Sequence, residues 1–116
     1  MKKTRVQEFR EEREYLTKLT LADADLKIKR FFALDHAAYE DGVIPPKYKE
    51  MMGLACSMVL RCDDCISYHL DQCQALGVTK AELQEVLNIA LIVGGSIVIP
   101  HLRRAVAYWE ELESLN

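Results

Sequence analysis

The hydrophobic and polar positions of the chain follow a helical period over most of its length. From Thr4 to Leu19 the segment is strongly charged, and its apolar residues form an approximate stripe at Val6, Phe9, Leu16 and Leu19. Glu14 and Lys18 stand one turn apart on the same segment, an arrangement that stabilises helices. The pattern therefore predicts a first helix over this range.

A second helix is predicted from about Leu21 to Tyr39. Thr20 suits its N-cap, and Asp23 falls in the first turn, where a negative charge is favourable. The apolar residues of this segment recur near helical spacing at Ile28, Phe31, Phe32, Leu34 and Ala38. The following "EDGVIPP" supplies a turn and two prolines, which end the helix.

The later helices have equally clear boundary residues. Pro46 suits the first position of a third helix. The segment "ISYHLDQCQAL" ends at Gly77, which favours a left-handed C-cap, and "TKAE" at Thr79–Glu82 is a capping box that opens the next helix. Gly94-Gly95 breaks that helix, and a last helix is predicted from about Ile97 to Leu115.

These patterns predict an all-α fold. We expect one domain over residues 1–116, built as a bundle of about five to six helices, with residues 1–20 as a charged N-terminal helix. Half of the residues are hydrophobic and 28% are charged, which is typical of a globular protein. So much apolar material in 116 residues also indicates that part of it is buried between subunits.

The charge and the longest apolar segment bear on partners and location. A net charge of −3 gives no basic surplus for phosphates, so no nucleic-acid partner is expected. "MKKTR" is followed by the charged "VQEFREEREY", which is unlike a signal peptide. The apolar segment from Ile89 to Pro100 is too short to span a bilayer. We therefore expect a cytoplasmic protein without a membrane partner.

The segment "RCDDCISYHL" carries the candidate chemistry. Cys62 and Cys65 are three residues apart, and His69 follows four residues later. At about 100° per residue these side chains share one helical face, and a helix beginning near Cys62 would bring the two thiols within disulfide distance. A neighbouring base such as His69 helps to form the reactive thiolate. The adjacent charges conflict, because Arg61 favours a thiolate whereas the two aspartates of the motif oppose it.

Two other interpretations compete with redox chemistry. Zinc is disfavoured because Cys62 and Cys73 would be about 16 Å apart along one helix, and no second ligand pair is present. No metal or cofactor is therefore predicted. The spacing alone does not decide between chemistry and simple packing, because free cysteine is often buried. We assign Cys56 and Cys73 to the core. The same core role is predicted for Met51, Met52 and Met58, and a structural role for His36 and His101.

The sequence from roughly Phe31 to Trp109 resembles the carboxymuconolactone decarboxylase family, and within it the alkylhydroperoxidase-D-like branch. The resemblance includes "DGVIPPKYKEMMGLACSMVLRCDDCISYHLDQCQALGVTKAELQEVLNIALIVGGS". The family pattern has a glutamate twelve residues before a CxxC pair and a histidine four residues after it. Those positions are occupied here by Glu50, Cys62, Cys65 and His69.

The resemblance implies a thiol-dependent antioxidant oxidoreductase with an all-α fold, in which a helical hairpin carries the motif. Cys65 would attack a small-molecule peroxide or disulfide, and Cys62 would resolve it. Glu50 and His69 would form a proton relay, an external dithiol would be the reductant, and the chain would assemble as a trimer or hexamer. Because a continuous helix would leave Glu50 about 22 Å from Cys65, the chain is predicted to fold back near Arg61.

One residue departs from the branch pattern, which has a histidine directly before the second cysteine. This chain has Asp64 there, and its charge is expected to raise the pKa of Cys65. A slower thiol–disulfide oxidoreductase therefore stays open beside a peroxidase. Two further alternatives are a lyase acting on a lactone acid, which would not use a cysteine pair, and a non-catalytic oligomeric binding protein.

Overall fold

A computed structural model describes residues 2–115, and this part of the chain is helical without strands. The predicted all-α class and the predicted number of helices are confirmed. None of the helices between residues 2 and 115 has the length and apolar character required to cross a membrane. The helices are α1 (Arg5–Ala22), α2 (Leu26–Ala38), α3 (Pro46–Val59), α4 (Asp63–Ala75), α5 (Lys80–Gly94) and α6 (Ile99–Ser114), the last preceded by a 3₁₀ turn at Ser96–Val98.

The core lies where α3 packs against α4 and α5 and where α4 packs against α6. Side chains from all four helices are buried there. Each apolar side chain removed from water stabilises the fold by about 1.5–3 kcal/mol. The largest fully buried ones include Leu54, Met58, Leu70, Leu83, Leu112 and Cys73. The predicted core position of Cys73 is thus confirmed.

The N-terminal helix α1 is attached to this core. Val6 is fully buried, and the ring of Phe9 meets Tyr108 edge-on with 6.0 Å between ring centroids. Arg10 donates two hydrogen bonds of 3.1 Å to the carboxylate of Asp71, which also accepts one of 2.8 Å from the Tyr108 hydroxyl. A buried contact and a polar network therefore fix α1 against α4 and α6.

Several predicted helix boundaries are confirmed. Pro46 occupies the first turn of α3. The capping box at the start of α5 is complete, because Thr79 Oγ1 accepts the Glu82 amide and Glu82 Oε1 accepts the Thr79 amide. Gly77 and Gly95 end α4 and α5 with φ angles of 83° and 82°, a region that favours glycine.

The boundary between α1 and α2 was predicted wrongly. Helix α1 continues to Ala22, so Thr20 lies inside it and its hydroxyl donates to the Leu16 carbonyl at 2.8 Å. The N-cap of α2 is Asp25, whose carboxylate accepts the Ile28 amide at 3.0 Å. Both threonine and aspartate cap helices well, so residue type alone did not distinguish the two sites.

The apolar stripe of α2 is exposed, as are some residues predicted to lie in the core. Helix α2 buries none of its side chains, and Phe31 and Leu34 are 69% and 67% exposed. The predicted core position of Cys56 is wrong because this residue is exposed, and Met52 is 49% exposed. Helical periodicity identifies an apolar face, but it does not show whether the chain itself covers that face.

Candidate active site

A tight reversal between α3 and α4 positions the cysteine pair, as the sequence predicted. Arg61 adopts a left-handed conformation with φ 58°, at a cost of about 1–2 kcal/mol for a residue other than glycine. Its amide bonds to the Met58 carbonyl at 3.0 Å, and the Cys62 amide bonds to the Ser57 carbonyl at 3.1 Å. These two bonds close the end of α3 in a Schellman motif. Cys62 is thereby placed directly at the N-terminus of α4.

Cys62 is the N-cap of α4, and its sulfur accepts the Cys65 amide at 3.3 Å. The two Sγ atoms are 2.7 Å apart, and both residues are free cysteines. A disulfide has an S–S distance of about 2.05 Å, so oxidation of the two thiols to a disulfide would need only a small movement of the sulfurs. Cys65 is exposed and Cys62 is half-buried, so Cys65 is the more accessible residue of the pair.

The Cys65 thiol holds its proton strongly. The hydrogen bond to Cys62, burial and the charges of Cys62 and Asp64 together raise the pKa of Cys65 to about 11. Asp64 acts in the predicted direction, although the hydrogen bond to Cys62 contributes more. A thiol with this pKa is almost wholly protonated at neutral pH, so a reaction that needs its thiolate also needs a base.

Behind the thiols, Glu50 of α3 pairs with His69 of α4. Glu50 Oε1 lies 2.7 Å from His69 Nδ1, and the two residues are only 4% and 7% exposed. An unpaired charge at such depth would be costly, and the hydrogen bond offsets that cost. Since the carboxylate accepts, Nδ1 donates, and Nε2 is left as the nitrogen that can take up a proton.

His69 lies one turn after Cys65 on α4. Side chains four residues apart in a helix share a face, and each is tilted toward the helix N-terminus. The imidazole is therefore on the face of α4 that carries Cys65. Of the four predicted site residues, Glu50 is hydrogen-bonded to His69, and Cys62 contacts Cys65. His69 and Cys65 are neighbours one turn apart on α4.

Gly53 and two tyrosines complete the surroundings of His69, and the sequence pattern contains little indication of their role. A Cβ atom at Gly53 would lie 2.6 Å from His69 Cε1 and 2.8 Å from Tyr39 Oη. The rings of Tyr39 and Tyr68 flank the imidazole with centroid distances of 5.5 and 5.3 Å. A glycine inside a helix is the one available signal, because it indicates a close approach that outweighs its poor helix propensity.

Both tyrosines keep their phenolic protons at neutral pH. Burial raises the pKa of Tyr39 and of Tyr68, and the negative charge of Glu50 raises each further. Their hydroxyls are therefore available as hydrogen-bond donors beside the buried pair.

A cleft of about 430 Å³ reaches Glu50 from the side of α1 and α2. Arg13 lies over the Tyr68 ring at 4.2 Å and forms part of one wall. His36, predicted to have only a structural role, lies exposed on the lining of this cleft. Within residues 2–115, no group of three or more His, Cys, Asp or Glu side chains is arranged to hold a metal ion.

A family profile that includes this helical hairpin identifies the class of protein. The chain belongs to the carboxymuconolactone decarboxylase family, whose profile matches residues 28–108. It is 33% identical over 78 residues to an uncharacterized protein of Cupriavidus necator, a match that covers 67% of this chain and 69% of the relative.

Solved structures share this fold. A Thermotoga maritima protein is 53% identical, with a TM-score of 0.92 over 94% of this chain and 96% of its own. A second structure of it, with a TM-score of 0.89 over 93% and 92% of the two chains, describes a carboxymuconolactone decarboxylase family protein that is a candidate for involvement in an antioxidative response. A family member from Legionella pneumophila is 26% identical, with a TM-score of 0.79 over 94% of this chain and 95% of its own.

Replacing Gly53 with alanine should disrupt the buried pair. The added methyl group has to displace the imidazole of His69 or the hydroxyl of Tyr39. We expect the free energy of unfolding to fall by about 1–3 kcal/mol, although alanine is the better helix former. Denaturant unfolding measures this change, and imidazole NMR shifts report the position of His69. Gly42→Ala is the control, since its added methyl group would meet only the Lys49 Nζ atom, at 3.7 Å. An unchanged Gly53→Ala protein would contradict the close packing.

Proposed function

We propose that this chain is a thiol-dependent antioxidant oxidoreductase that reduces peroxides or disulfides through Cys62 and Cys65. The observation that carries the proposal is the 2.7 Å separation of the two sulfurs at the N-terminus of α4, next to the buried Glu50–His69 pair. Family membership and the antioxidative description of the Thermotoga relative support the same direction. Paired thiols weigh against the lyase alternative, which has no use for them.

The proposed cycle balances with a peroxide and a dithiol. The Cys65 thiolate attacks the peroxide and the O–O bond breaks. The leaving oxygen takes up the proton that Cys65 had lost, so the products are an alcohol or water and a sulfenic acid on Cys65. The Cys62 thiol then condenses with the sulfenic acid, releasing water and forming the disulfide. An external dithiol attacks this disulfide, becomes oxidised itself, and restores both thiols. When the substrate is a disulfide, the Cys65 thiolate forms a mixed disulfide with it and releases one thiol. The Cys62 thiol then displaces the second thiol, which forms the same Cys62–Cys65 disulfide without a sulfenic acid.

In this proposal His69 is the base that makes the first step possible. Because the pKa of Cys65 is raised to about 11, the thiol must lose its proton to a neighbour during attack. The free Nε2 of His69 would accept that proton, while Glu50 stabilises the imidazolium through Nδ1. Asp64 opposes the thiolate, which favours slow peroxide reduction or disulfide exchange over a fast peroxidase.

The reductive half of the cycle has a preferred direction. Cys65 is the more exposed residue of the pair, so an incoming dithiol would attack its sulfur and expel Cys62. The departing sulfur accepts the Cys65 amide at the N-terminus of α4, where negative charge is favoured. Such a dithiol-driven cycle suits a reducing, cytoplasmic compartment.

Peroxide and disulfide reduction tests this function with a panel of dithiols. Glu50→Gln should leave the fold intact but slow the reaction about 10²-fold, since a proton-transfer group contributes at least that much. His69→Ala should act similarly, and the double variant should cost less than the sum, because the two residues act as a unit. Glu85→Gln removes the same charge from an exposed position on α5 and should have no effect.

Two results would contradict the account at different levels. An unchanged rate for Glu50→Gln would mean that Glu50 takes no part in the relay. An unchanged rate for Cys65→Ser would mean that the cysteine pair does not carry the reaction at all.

We also propose that the chain assembles with copies of itself as a trimer or hexamer. The exposed apolar stripe of α2 supports this, together with an apolar groove of about 440 Å³ between α3 and α5 whose lining includes Leu60, Ile89 and Val93. Exposed clusters of apolar side chains commonly mark protein interfaces. Sedimentation at micromolar concentration should give the mass of three or six chains. A stable monomer would contradict the assembly.

A further inference from the structure

A polar cluster on α6 holds the aspartate that directly follows Cys62. Asp63 is the first residue of α4, and its Oδ1 lies 2.8 Å from His101 Nδ1. Its Oδ2 accepts Arg104 Nε at 3.0 Å. Both partners belong to α6, so two side chains from another helix fix this carboxylate next to the cysteine pair.

These contacts show which hydrogen-bonding role His101 Nδ1 has. Nδ1 also lies 3.3 Å from Arg104 Nη2, but one nitrogen cannot donate to the carboxylate and accept from the guanidinium at once. The contact with Asp63 is shorter and charge-assisted, so Nδ1 donates to Asp63. His101 is thus a satisfied histidine, as predicted, although its partner lies beside the thiols.

The two aspartates of the motif act differently on the thiols. Burial would raise the pKa of Asp63, but the hydrogen bonds and charges of His101 and Arg104 hold it below its usual value. Asp63 is therefore ionised at neutral pH. Asp64 contributes to the raised pKa of Cys65. The carboxylate of Asp63 is instead bound by His101 and Arg104.

We propose that His101 and Arg104 are positioning residues of the cysteine pair, which hold the charge of Asp63 against α6 and away from the two sulfurs. The inference rests on the proposed function, because it concerns the reactivity of Cys62 and Cys65. The two aspartates of the motif therefore differ in their effect on the thiols. One aspartate is neutralised by α6, and the other remains to act on Cys65.

Other charged and titratable groups surround the same end of α4. Arg61 precedes Cys62 in the reversal, and Asp64 lies between the two cysteines on α4. Arg5 of α1 and Tyr108 of α6 line a small cleft of about 110 Å³ together with Asp63 and Arg104. These groups are unchanged in the variants below, so a change in thiol reactivity reports on the contacts of Asp63.

The test is the pH dependence of iodoacetamide alkylation at Cys62 and Cys65, followed by peptide mass spectrometry. Arg104→Gln and His101→Asn should release Asp63 toward the thiols and oppose thiolate formation. We expect the alkylation rate at pH 8 to fall about threefold, the equivalent of a rise of about half a unit in the midpoint. Arg104→Lys should restore part of the rate.

Two comparisons separate positioning from a merely structural contact between α4 and α6. Arg103→Gln removes the same charge from an exposed neighbouring position on α6 and should leave the profile unchanged. In an Asp63→Asn background, Arg104→Gln should no longer slow alkylation, because the charge that it controlled is gone. A loss of stability alone would not produce this pattern.

Two results for the Arg104→Gln variant would overturn the inference. A folded Arg104→Gln protein with an unchanged profile does so, as does an equal slowing in the Asp63→Asn background. If Arg104→Gln does not fold, the single variant Asp63→Asn provides the test. Its alkylation rate should be unchanged or higher, and a slower rate would overturn the inference. Alkylation needs no peroxide or reductant, so a failure of the proposed function would appear separately, as absent turnover.

Discussion

The buried hydrogen bond between Glu50 and His69 is the interaction on which the rest of the site depends. A carboxylate and an imidazole that are almost completely removed from water need each other as partners. Their approach requires α3 and α4 to run side by side, which the left-handed Arg61 permits by reversing the chain within a few residues. It also requires the absence of a side chain at Gly53. The same reversal leaves Cys62 as the N-cap of α4 and so sets the geometry of the thiol pair.

The groups around the two thiols have opposite effects on thiolate formation. Cys62 and Asp64 hold the proton on Cys65 and raise its pKa to about 11, whereas the α4 N-terminus favours negative charge on Cys62. In the proposed cycle a base removes this proton, and His69 lies on the same face of α4 as Cys65. The electrostatics therefore suit a thiol pair whose reactivity depends on its neighbours rather than on a permanently ionised cysteine.

Local signals in the sequence predicted most of the helices, but not which surfaces the chain covers. Gly77, Gly95 and the Thr79 capping box ended or began helices as expected, because these effects involve residues only a few positions apart. The positions of Cys56 and of the α2 stripe were beyond such reasoning, since burial depends on distant parts of the fold.

The sequence likewise predicted some features of the candidate site and not others. The spacing of Cys62 and Cys65 follows from one turn of helix, so the sequence could predict their proximity. The pairing of Glu50 with His69 came from the family resemblance, not from periodicity, because nineteen positions separate them in the chain. The roles of Gly53 and of the α6 residues around Asp63 require the packed structure, since each depends on contacts between separate helices.

The central claim is that Cys62 and Cys65 form a reversible disulfide, and peptide mass mapping after mild peroxide oxidation tests it most directly. The account predicts a loss of two hydrogens confined to the peptide that carries both residues, reversed by dithiothreitol. A disulfide that involves Cys56 or Cys73, or thiols that remain unpaired after oxidation, would contradict it.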